Sequence, residues 1–164
     1  MSTATTATQP EAFEHINLND VDDARKPIPE GVYTFEVNKL DPVYKKVQTP
    51  TSEFYGQDQL VLKGSYTIVD DPNFSGRKIW EDFRPAYRFA QVNLKKQMDA
   101  TGVIQQDGES LNDYAAQFAL LNPPARFQAL LRCGFDKRDL GANGEPLEGT
   151  KPRNSISWFT SKPV

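Results

Sequence analysis

The chain has 164 residues, 38% of them hydrophobic and 25% charged, with a net charge of −3. That length supports one domain with a real core plus loose ends. No apolar run reaches the roughly eighteen residues of a membrane-spanning helix, residues 1–10 lack the regions of a secretory signal, and one cysteine, Cys133, excludes an intrachain disulfide framework. Cys133 lies among apolar neighbours and reads as a buried, inert thiol, and a reducing cytoplasm is the expected compartment. The overall charge argues against a strongly basic nucleic-acid binder, but the charge is segregated. Residues 1–30 hold six acids against two bases, whereas residues 77–96 hold six bases (Arg77, Lys78, Arg84, Arg88, Lys95, Lys96) against Glu81 and Asp82. A partner meets the local field, not the sum.

Residues 1–12 carry no apolar periodicity and read as disordered. An acidic lead-in follows and ends in Pro27-Ile28-Pro29, which cannot sit inside a helix. Residues 1–27 therefore form a disordered or extended acidic arm, and residues 28–164 form the folded domain. The first strand, 31–40, alternates Tyr33, Phe35 and Val37 with polar residues. The second, 59–70, puts Leu60, Leu62, Tyr66 and Ile68 on one face, and its Gly64 suggests a bulge or tight bend. Residues 70–76 form a turn. The third strand, 77–83, comes next.

A helix is predicted where Ala90, Leu94 and Met98 make a stripe with Phe89 and Val92 nearby, stopped by Thr101-Gly102. A second runs from Ser110 to Leu121, with Ser110 as N-cap and Asp113 in a capping-box position. The fourth strand, 126–136, turns Phe127, Ala129, Leu131, Cys133 and Phe135 to one side. A glycine-rich loop, 137–153, leads to the fifth strand, 155–160, where Trp158 aligns with Ile156 toward the core and Phe159 lies outward. Five strands with a helical insertion between the third and fourth predict a mainly β, OB-fold-like Greek-key barrel.

No enzyme emerges from the residues. His15 is the single histidine, no Cys/His cluster suits zinc, and no Gly-rich loop leads into Lys-Ser or Lys-Thr. The carboxylate pairs Asp70-Asp71 and Glu81-Asp82, and the group Asp20-Asp22-Asp23, suit a metal-dependent nuclease, but solvated turns and strand edges explain them more simply. No catalytic residue, metal or cofactor is expected.

Binding is better supported. An OB-fold holds oligonucleotides across strands two and three, between the 1–2 and 4–5 loops. Single-stranded binders need cations for phosphates and flat rings for bases. The predicted 1–2 loop, 41–58, offers Tyr44, Lys45, Lys46, Phe54 and Tyr55, and the 4–5 loop offers Lys137, Arg138, Lys151 and Arg153. Alternation on strand three sends Trp80 outward between Lys78 and Arg84, beside Arg77, with Lys63 on the outer face of strand two. Two readings of Trp80 stand at this point: a stacking platform, or a ring packed under the helix or a loop. For Tyr44 and Tyr55 the alternative is a loop packed on its own aromatics.

A family resemblance joins these residues. Pro29-Glu30-Gly31-Val32-Tyr33, Leu60-Val61-Leu62, Tyr66-Thr67-Ile68-Val69 and above all Gly76-Arg77-Lys78-Ile79-Trp80, followed by a helix with Ala90, Gln91 and Leu94, resemble a small phage-encoded family, formerly a domain of unknown function. The resemblance covers about residues 28–160. It implies an OB-fold single-stranded-DNA-binding protein (a viral DNA-binding protein of DNA replication or DNA recombination) with possible phage replication or recombination proteins as partners. The chain departs from bacterial single-stranded-DNA-binding proteins in having its acids at the N-terminus and none after Phe159, so the acidic arm is expected to shield the DNA groove or contact other proteins. A structural or protein-interaction barrel, a virion component or adaptor that ignores DNA, is the competing expectation. Self-association as a homo-oligomer is left open by the sequence.

Overall fold

In a computed structural model the structure describes residues 26–164; His15 and the acids from Glu11 to Asp23 lie outside the described residues. Five strands appear in the expected order: β1 (Gly31–Lys46), β2 (Asp58–Val69), β3 (Lys78–Phe83), β4 (Arg126–Gly134) and β5 (Arg153–Lys162). Two helices, α1 (Arg88–Thr101) and α2 (Leu111–Ala119), connect β3 to β4. All neighbouring strands pair antiparallel, in the spatial order β3-β2-β1-β4-β5.

The sheet is not closed into a barrel: β3 and β5 are its edges. They still approach each other. Phe83 and Trp158 lie with ring centroids 5.6 Å apart, and the Ile156 N–H donates to the Glu81 carboxylate at 2.7 Å. A side chain thus takes the backbone donor that a closing ladder would have used. Glu81 is therefore a partly buried bridge across the seam and not a solvated strand-edge acid; burial pushes its carboxyl from 4.5 up to about 7, against the lowering effect of the Ile156 N–H.

β1 runs six residues past its predicted end. A bulge between Val37 and Lys39 flips its alternation, so buried Phe35 and Val37 are followed by buried Leu40. Beyond Glu36 the β4 pairing stops while the β2 pairing continues. Pro42 is tolerated there because one edge of β1 lies open. The bulge expected at Gly64 sits instead on this facing strand. Gly64 has another role: a Cβ there would meet the Tyr66 ring at 2.6 Å, so the glycine makes room for the ring.

The core is aromatic. Phe127 stacks on Phe35 at 5.3 Å and on Trp158 at 5.1 Å, and Tyr66 meets Phe127 edge-on. The Tyr66 hydroxyl donates to Gln97 Oε1 of α1, and Gln97 Nε2 donates to the Tyr114 hydroxyl of α2 at 3.4 Å. This buried chain ties both helices to one face of the sheet. Burial raises the Tyr66 and Tyr114 hydroxyls, Tyr114 to about 12, so both remain protonated, Tyr66 as donor and Tyr114 as acceptor. The buried side of α1 carries Ala90, Asn93, Leu94, Gln97 and Ala100; Phe89, expected near that stripe, is exposed. Gly102 caps α1 in the left-handed conformation. Ser110 caps α2 by accepting the Asp113 N–H at 3.1 Å. Ile28 is fully buried, held by Asn154 through both its N–H and its carbonyl.

Candidate nucleic-acid interface

Trp80 follows buried Ile79, whose register partner is Tyr66 on the helix-covered side. Alternation therefore aims Trp80 at the opposite face. Its own partner there is Ser65, too short to cover an indole, and Trp80 is 70% exposed. The ring is therefore not packed under the helix or a loop. Two grooves flank the ring. One, of about 470 Å3, is lined by Lys26, Arg77, Lys78, Trp80, Arg153 and Asn154, with no acid in its wall. The Arg77 guanidinium donates to the Lys26 carbonyl at 2.8 Å, pinning the end of the lead-in to this groove. The first described residue thus lies in the groove beside Trp80. The second groove, of about 720 Å3, sets Arg132 and Arg153 against Glu30, Glu81, Asp82 and Asp136. Cys133, expected to be buried, is half-buried in its wall. The first groove is wholly basic in its charged lining and suits an anion, while the ionised carboxylates of the second act as hydrogen-bond acceptors.

The other predicted site residues divide into separate places. Lys45, Lys46 and Arg84 share a groove of about 480 Å3 with Gln48, Thr49 and buried Gln59. Tyr44, Lys45 and Lys46 are strand residues and not loop residues, because β1 extends to Lys46. Tyr44 and Tyr55 are exposed. The 1–2 connection instead packs through Phe54, edge-on to Tyr87 at 5.7 Å, and through Ser52, hydrogen-bonded to the Tyr87 hydroxyl. Lys63 is exposed, but its register partners on the two sides are Asp82 and Asp41, which compete with phosphate for its charge. Arg153 opens β5 and is not a loop residue; it meets Asp136 at 3.4 Å, and Arg138 meets the same carboxylate at 3.3 Å. Such exposed pairs are worth about 0–1 kcal/mol and yield readily to a phosphate. Lys137 and Arg138 lie on a single 3-10 turn, and Lys151 is exposed just before Arg153.

Two contributors were missed by pattern reading. Lys26 joins the Trp80 groove only through the tertiary docking of Ile28. Arg132 falls on the side of β4 opposite Phe127, Ala129 and Leu131, but nothing local says that this face borders Trp80. Among the carboxylates, Asp71 is structural: its Oδ1 accepts the Asn73 and Phe74 N–H groups at 2.9 and 2.7 Å. Asp70 faces Arg126 at 3.6 Å. Among the described residues no three His, Cys, Asp or Glu side chains gather to hold a metal, and no helix is long and apolar enough to cross a membrane. No family model matches the chain, and neither the curated proteins nor the solved structures include a match.

Proposed function

We propose that this protein binds single-stranded DNA without sequence specificity. The observation that carries the reading is Trp80, exposed on an uncovered sheet face with Lys26, Arg77, Lys78 and Arg153 around one groove. An open indole supplies a stacking surface of roughly 1–3 kcal/mol per base, and the cations supply the sequence-independent phosphate attraction. The Lys45, Lys46 and Arg84 groove gives a second phosphate contact. Strand order β3-β2-β1-β4-β5, with β3 and β5 meeting across the Glu81 bridge, supports an OB-fold-like barrel opened at one seam. A role in phage replication or recombination rests on the resemblance of the Gly76–Trp80 segment.

The test is a titration with oligo-dT at low and high salt, read by tryptophan fluorescence and anisotropy. Quenching and an affinity that falls steeply with salt are expected. Absence of both quenching and anisotropy change at micromolar protein overturns the reading. A second reading, a protein-interaction module, is favoured by the net charge of −3 and by the four acids of the larger groove. Stable oligomers indifferent to DNA would select it.

A further inference from the structure

Beyond Trp80, a fourth groove opens between the start of α1 and β5. Its volume is about 330 Å3, and Phe89, Arg132 and Phe159 line it together with Ser155, Trp158 and Thr160. Phe89 is 71% exposed and Phe159 67%. Two open phenyl rings in one groove are unusual in a domain whose other described phenylalanines are buried in whole or in part. No acid lines this groove, and Arg132 supplies a cation. Trp158 Nε1, on a side chain 97% buried in the same wall, has no hydrogen-bond partner among the described residues. Arg132 and Ser155 also line the large groove beside Trp80, so the two surfaces are continuous.

We infer that Phe89, Phe159 and Arg132 form a second subsite for single-stranded DNA, one that takes further bases of a strand already stacked on Trp80. This rests on the proposed DNA-binding function. The chemistry favours a nucleic acid over a protein partner: the accessible apolar groups are flat rings and not aliphatic chains, and they stand with a guanidinium and hydroxyls. Phe89 and Phe159 stack bases, and Arg132 meets the phosphate between the two subsites. The acids of the intervening groove leave Arg132 and Arg153 as its phosphate contacts.

Oligo-dT of increasing length, about 4 to 16 nucleotides, separates the subsites. In the unaltered protein affinity rises again once the strand is long enough to pass Arg132. In the double variant Phe89→Ala with Phe159→Ala, short-strand affinity stays unchanged and long-strand affinity falls about tenfold or more. Arg132→Gln lowers the magnitude of the salt slope by about one for long strands only. Both rings are exposed, so thermal melting of the double variant should match the parent. If the double variant binds every length like the parent while Trp80→Ala is weakened, the second subsite is wrong and the DNA-binding reading stands. If the parent binds no DNA of any length, both fall. If the double substitution converts an oligomer to a monomer with DNA binding intact, the groove is a self-association surface and the inference is overturned.

Discussion

Trp80 and Gly64 show how much a single position depends on what stands across the sheet. Trp80 is open because its cross-strand neighbour is Ser65 and because both helices occupy the other face. Trp80→Ala should weaken oligo-dT binding by about 5- to 150-fold, the loss of one stacked base, and leave the salt slope unchanged because no cation is removed. Fluorescence anisotropy across a salt series checks both, and melting should be unaltered since the ring is exposed. At Gly64 the constraint is steric. An added methyl would sit 2.6 Å from a Tyr66 ring that Gln97 holds by its hydroxyl and that Phe127 and Trp158 hold by its faces and edges. The ring cannot swing aside without losing that hydrogen bond. Gly64→Ala is expected to cost about 1–3 kcal/mol in urea denaturation, as overpacking does. A cost near zero would mean that Tyr66 has another rotamer available.

Each element owes its limits to a local signal and its placement to a distant one. α2 starts at Ser110, whose side chain satisfies an otherwise unpaired N–H, as the sequence indicates. Ser110→Ala should lower stability by about 1 kcal/mol, measured by thermal melting, with oligo-dT affinity unchanged because α2 lies on the face away from Trp80. β1 is the contrary case. Its alternation stops at the Val37/Lys39 bulge, so pattern reading ended the strand there and put Tyr44, Lys45 and Lys46 in a loop. Pairing with β2 through Lys46 overrides the broken pattern. β5 behaves likewise: Arg153 and Asn154 gain strand geometry from pairing with Gly134 and Cys133, not from their own preferences.

At the scale of the whole molecule the open seam between β3 and β5 is the feature with the widest consequences. Glu81 bridges it, and burial raises its carboxyl to about 7. The folded state therefore holds this proton more tightly than the unfolded chain. The stabilisation from that proton is complete below about pH 4.5, the ordinary carboxyl value, and is lost as pH rises through about 7. Glu81→Gln keeps an acceptor for the Ile156 N–H but carries no charge. It should match the parent near pH 5 and exceed its stability near pH 8 by roughly 1–3 kcal/mol. Equal stability of the two proteins at both pH values would mean that water reaches the carboxylate. The acids ahead of Lys26 are the second candidate at this scale, because Lys26 itself lies on the rim of the Trp80 groove. Removing residues 1–25 should tighten oligo-dT binding if the arm's acids compete with phosphate, and unchanged affinity would remove that role.

The sequence by itself determined the five strands, the helical insertion and the outward aim of Trp80 and Phe159, because alternation and helical spacing are local properties of the chain. It also set Trp158 toward the core by parity with Ile156, but it left Trp80 open between an exposed ring and one packed under the helix or a loop. Only the tertiary structure decided that the sheet stays open, that Glu81 spans the gap, and that Arg132, Lys26 and Phe89 border the same surface as Trp80. Those facts depend on how far strands coil toward one another and on where the lead-in and α1 dock. Both are settled by long-range packing around Phe127, Tyr66 and Trp158, which no window of neighbouring residues contains.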